Sequence, residues 1–104
     1  MKLEVFSYYS NDPVIITPAG TELLGTIHLF ISDIAVDIRG ILCTRNKNGK
    51  LKVFLPSKEV IDEEGNKVRM PYFAFMDLSK NKELRVFCMN FLREKLKESS
   101  EKKG

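Results

Sequence analysis

Leu23-Leu24-Gly25-Thr26-Ile27-His28-Leu29-Phe30-Ile31 and Ile34-Ala35-Val36-Asp37-Ile38-Arg39-Gly40-Ile41-Leu42-Cys43-Thr44 are two apolar, β-branched runs separated only by Ser32-Asp33. Branched side chains pack well on a pleated surface, so both runs are expected to be long strands. Ser32 and Asp33 can hydrogen-bond nearby backbone and predict a tight turn between them. Asp37 and Arg39 fall on one face of the second strand, because strand side chains repeat every two residues.

Working outward, Leu3, Val5, Phe6, Tyr8 and Tyr9 predict a first strand over 2–9, broken at Asn11-Asp12-Pro13. Val14-Ile15-Ile16-Thr17 is either a brief edge strand or an extended loop, ended by Pro18-Ala19-Gly20. Downstream, Asn46-Lys47-Asn48-Gly49 carries the Asn-Gly pair of a type I′ hairpin and leads into a strand over 51–55. Pro56-Ser57-Lys58 stops that strand, Asp62 to Asn66 is an acidic turn, and Val68 to Phe75 is extended with an edge or bend at Pro71. A helix is predicted from Ser79, an N-cap residue, through Leu84, Phe87, Cys88, Phe91, Leu92 and Leu96. Val86 and Met89 make its apolar face wider than the stripe of about 100° that a surface helix needs. Either a second subunit or a deep groove on the sheet would cover the excess. The expected fold is α+β: a twisted, mainly antiparallel sheet of about five strands with one long C-terminal amphipathic helix. It forms a single domain over 1–98, followed by a disordered polar tail over 99–104.

A chain of 104 residues suits one core, and 43% hydrophobic against 30% charged residues allows that core to be buried and covered. No run approaches the roughly 18 apolar residues of a membrane helix, and Glu4 interrupts the start where a signal peptide would be apolar. A cytoplasmic protein is expected. Cys43 and Cys88 are too few and too separated to staple the domain and read as buried thiols.

Few reaction classes survive inspection. One histidine and two distant cysteines, with no CxxC or HExxH, exclude the common metal sites. His28, in an apolar strand, reads as a partly buried, hydrogen-bonded side chain rather than a general base. There is no GxSxG elbow and no phosphate-binding glycine loop, and Asp62-Glu63-Glu64 reads as a solvated turn. The expectation is therefore no enzyme, no cofactor and no small-molecule substrate. A net charge of +3 favours polyanions only modestly. On the helix, Lys82, Arg93 and Lys97 lie within about 60° of one another, with Arg85 at the margin. That stripe could contact phosphates, or could be a solvent face balanced by Glu83 and Glu94.

From Gly25 to Lys58 the chain resembles the SpoVG family, bacterial proteins named for roles in sporulation and septation. Gly25-Thr26-Ile27-His28-Leu29 is similar to the family's Ala-Ser-Ile-Thr-Leu, and Asp37-Ile38-Arg39 matches its Asp-Ile-Arg. Val53-Phe54-Leu55-Pro56-Ser57-Lys58 resembles its Phe-Val-Ala-Met-Pro-Ser-Lys, and an acidic turn and an amphipathic helix follow in both. The resemblance implies a homodimeric regulator that binds nucleic acid, DNA more than RNA. It adds Arg39 and Lys58 to a nucleic-acid-binding set whose helical members are Lys82, Arg85, Arg93 and Lys97. The chain departs from the family in three places. The family's basic first strand is here Phe6-Ser7-Tyr8-Tyr9, Glu59 replaces the Arg that follows Pro-Ser-Lys, and the acidic loop is longer. The alternative reading is a protein-interaction or accessory module that kept the fold and lost the nucleic-acid surface.

Overall fold

Alternation of apolar and polar residues writes four strands that lie side by side in chain order: β1 (Leu3–Ile16), β2 (Glu22–Ile31), β3 (Val36–Arg45) and β4 (Leu51–Phe54). Each pairs antiparallel with its sequence neighbour. A separate antiparallel ribbon, β5 (Ser57–Ile61) and β6 (Lys67–Pro71), precedes the single helix α1 (Leu78–Lys102). This computed structural model describes residues 1–102, with side chains through residue 98. The expected polar tail over 99–104 therefore lies, in its side chains and last two residues, outside the described residues. No helix among them is long and apolar enough to cross a membrane.

The fold class is α+β as read from the sequence, with differences in detail. The expected sheet of about five strands is four strands plus a two-stranded ribbon. Pro56 ends β4, and the chain resumes as β5, held by Tyr72 N–H donating to the Pro56 carbonyl at 2.8 Å. β6 stops at Pro71, which has no N–H for the ladder, so residues 72–75 are not a strand. Asn11-Asp12-Pro13 does not end β1. The three residues are accommodated where pairing jumps from Ser10↔Gly25 to Ile15↔Leu23, and Val14–Ile16 belongs to the same edge strand.

The turns also differ from the expected chemistry. Of Asn48 and Gly49 only the glycine has positive φ, at +84°, which rules out the type I′ turn. Asn46 Oδ1 instead accepts the N–H groups of Asn48 and Lys50, both at 2.9 Å, so an Asx turn followed by glycine closes the hairpin. The β5–β6 turn repeats this design, with Asp62 Oδ1 accepting from Glu64 and Asn66 at 3.0 and 2.8 Å and Gly65 at φ +84°. Between β2 and β3 the turn is longer than Ser32-Asp33, spanning 32–35, and leaves Ile34 exposed.

α1 lies on one face of the sheet and buries Leu84, Cys88 and Leu92 against Ile27, Leu29, Ile31, Ile38, Ile41 and Cys43. Its cap is Asp77 rather than Ser79: Asp77 Oδ1 accepts the Ser79 hydroxyl at 2.6 Å and the Ser79 N–H at 2.9 Å. These bonds hold its carboxyl below the usual carboxylate range. Buried Asn81 fixes the entry to the helix, accepting from Phe75 N–H at 2.8 Å and donating to the Phe75 carbonyl at 2.7 Å. The wide apolar face is taken up only in part within the chain, since Val86 remains 48% exposed. Phe91 meets Tyr8 edge-on at 6.0 Å on the β1 side, and Met89 packs toward β4, which corresponds to the groove alternative.

Gly25 pairs with Ser10 where the β1 backbone passes close over it. A side-chain carbon there would run into the Tyr9 carbonyl oxygen and lie 2.9 Å from Ser10 Cα. Gly25→Ala should therefore destabilise the fold by about 1–3 kcal/mol, through forced backbone movement. Urea denaturation should show a lower midpoint at an unchanged slope.

Candidate nucleic-acid interface

Three of the six expected residues come together along one flank of α1. Lys82, Arg85 and Arg93, with Lys52 of β4, line a groove of about 360 Å³ between the helix and the edge strand β4. Leu51, Val53, Phe54, Val86 and Met89 provide its apolar surface. Long cationic side chains can cover such a surface with their stems while their charged heads stay in water. Neither Glu83 nor Glu94 lines the groove; Glu83 borders a different hollow with Leu3 and Phe87. Helical phase thus segregates charge, placing cations on the β4 flank. Lys97 is exposed one turn beyond Arg93 and is not part of the groove lining.

Arg39 is placed on the other face of the sheet. Leu29 pairs with Ile38 and Ile27 with Ile41, so β3 carries one extra residue at Arg39-Gly40, with Gly40 at φ +80°. The bulge turns Arg39 away from α1, where its side chain is 77% exposed. Arg39 Nη2 lies 3.5 Å from Asp37 Oδ2, and the same oxygen is 3.3 Å from His28 Nε2. The Asp37–Arg39 pairing implied by their common face is therefore present, and an exposed pair of this length is weak enough to leave the guanidinium free for a stronger anion. His28 is mostly buried and hydrogen-bonded, with the Phe6 ring 4.8 Å above it. Phe6, Tyr9, Thr26, His28, Arg39 and Gly40 enclose a hollow of about 310 Å³. Lys58, opposite Met70, is exposed on the β5–β6 ribbon. The six residues therefore form no single patch.

Sequence reasoning missed Lys52, which strand alternation places between Leu51 and Val53, and the aromatic positions Phe6, Tyr9 and Phe54. Lys52 and Phe54 share an outward phase that alternation makes legible, whereas Phe6 and Tyr9, three positions apart, face the same way only because β1 carries an extra residue at Phe6. Asp62 is occupied as a turn staple, and among the described residues no group of three or more His, Cys, Asp or Glu is placed to hold a metal. Comparison of the chain with protein-family models, curated proteins and solved structures finds no significant match.

Both cysteines are buried and free. Burial, and secondarily Cys88, pushes the Cys43 thiol up to about 12, and burial raises Cys88 to about 11. Since the thiolate is the nucleophile, neither can serve as one near neutral pH. Native protein at pH 8 should resist iodoacetamide while urea-denatured protein is doubly alkylated, as read by mass spectrometry. Rapid native labelling would contradict the core described here.

Proposed function

We propose that the protein is a dimeric nucleic-acid-binding regulator of the SpoVG type, acting in the cytoplasm. The observation that carries the binding is the groove beside β4, where four cations line an apolar surface and no carboxylate joins them. Such a cleft attracts phosphates, and the counterions displaced from the polyanion drive association. The regulatory role and the cellular location rest on the resemblance, together with Arg39 and Lys58 from its motifs.

Dimerisation draws its support from the β5–β6 ribbon rather than from the width of the helix face. Val60, Val68 and Met70 share one side of the ribbon with Lys58, which a dimer contact there would withdraw from the nucleic-acid-binding set; Val68 and Met70 are 40% and 52% exposed. Met76 and Leu78, just beyond it, are 99% and 80% exposed. A lone two-stranded ribbon is marginal in water and needs a surface to pack on. A second copy would provide it through a two-fold, self-complementary contact. Sedimentation at micromolar concentration should give a dimer, and Val68→Lys with Met70→Lys should shift it to monomer.

The competing reading, a protein-interaction module, draws on the edge strand β4, whose free side could accept an extended peptide. Salt separates the two. Affinity for a short oligonucleotide should fall steeply with salt concentration, and Lys82→Ala with Arg85→Ala and Arg93→Ala should lower the salt slope by about 2–3 units. Fluorescence anisotropy showing no salt-dependent binding in the folded, unaltered protein would favour the interaction module.

A further inference from the structure

We propose that the face of the sheet away from α1 is a stacking platform for the bases of a single-stranded nucleic acid, whose backbone is led there from the cationic groove. The inference rests on the nucleic-acid reading and adds to it the strand form and a second contact surface.

Three hollows adjoin in series. The groove beside β4 shares Phe54 with a hollow of about 310 Å³ that also contains Arg69 and Tyr72. That second hollow shares Thr26 and Gly40 with the one formed by Phe6, Tyr9 and Arg39. A continuous path therefore runs from the helix flank, round the edge strand, and across the outer face of β3 and β2 to β1. Along it, flat side chains alternate with cations. Phe6, Tyr9 and Tyr72 are 73%, 63% and 69% exposed, and Arg39 and Arg69 lie among them.

Exposed aromatics on a sheet have two common uses, burial against a protein and stacking on bases. Interspersed guanidinium groups favour the second, because they match phosphates and can stack on bases themselves. Asp37, the carboxylate on this part of β3, lies 3.3 Å from His28 Nε2 and keeps that contact when Arg39 turns to a phosphate. The shape of the path selects the strand form. A duplex is stiff over about 150 base pairs and cannot turn round the edge of a sheet, whereas a single strand bends at every nucleotide. Of the aromatic residues on β1, Phe6 and Tyr9 point outward onto the path, whereas Tyr8 packs against Phe91 of the helix.

The test compares a ~10-nucleotide oligouridylate with a duplex of similar charge for the unaltered protein, Tyr9→Ala, Tyr9→Phe and Phe6→Ala. Both positions are exposed, so circular dichroism should be unchanged. Each alanine change should weaken single-strand binding about tenfold at an unaltered salt slope, and Tyr9→Phe should restore it. Duplex binding should be weaker than single-strand binding and insensitive to all three. Equal binding of the two forms, or alanine variants that bind the single strand normally, would overturn the platform while leaving the groove. Absence of binding to either form at low salt would overturn the nucleic-acid reading itself, and the platform with it.

Discussion

Ile38 and Ile41 are three positions apart on a strand whose side chains alternate, yet both are buried against the same helix. This is possible only because the chain inserts an extra residue between them, with Gly40 in a conformation that other residues resist. Much of the molecule follows from that bulge. It keeps β3 in phase with Ile27 and Leu29 of β2, which form the floor of the core. It also turns Arg39 outward and leaves a small-residue hollow at Gly40 into which neighbouring side chains open. Related irregularities at Phe6 and Leu24 keep Val5, Tyr8 and Leu24 against the core. Because bulges increase local twist, the sheet can wrap a helix face broader than a flat sheet would cover. Phe91 on one flank and Met89 on the other are both accommodated by one chain.

The helix is fixed at its start as firmly as along its length. Asp77 caps it, and Asn81 clasps the preceding segment through both bonds to Phe75, satisfying a buried amide that would otherwise be unfavourable. With start and rotation both set, the phase of every later side chain is set as well. Leu84, Cys88 and Leu92 face the sheet, and Lys82, Arg85 and Arg93 must then line the β4 flank. The cationic groove is thus a consequence of core packing: helical geometry brings three like charges together, and solvent at their heads makes this tolerable.

The central strands were legible because β-branched residues and alternation agree there, and the helix because its apolar residues recur at three and four. What could not be read depends on pairing. A bulge is a relation between two strands, and only Gly40 within a strand hinted at one. The proline at 13 looked like a terminator because its effect on β1 is decided by how β2 receives it. Asn48-Gly49 suggested a primed turn, but Asn46, two residues earlier, offered the backbone a better acceptor. For the site, helical periodicity located Lys82, Arg85 and Arg93. A motif located Arg39 without showing that it faces away from them. Tyr9 and Phe6 were seen only as a loss of positive charge.

That apparent loss acquires a different meaning once the two faces are considered together. A chain with a net charge of only +3 has a limited capacity to bind through counterion release, a source of affinity that fades as salt rises. Stacking does not fade in this way, because it depends on surface contact and not on ion displacement. In the proposed binding mode, stacking on Phe6 and Tyr9 supplies a salt-tolerant part of the affinity. It also changes what is selected, since cations recognise any phosphate backbone whereas aromatic faces require bases that are free to leave their partners. The edge strand β4 lies between these two surfaces. At four residues, bounded by the Gly49 turn and by Pro56, it is short enough that in the proposed mode one flexible strand would pass from the helix flank to the open face of the sheet.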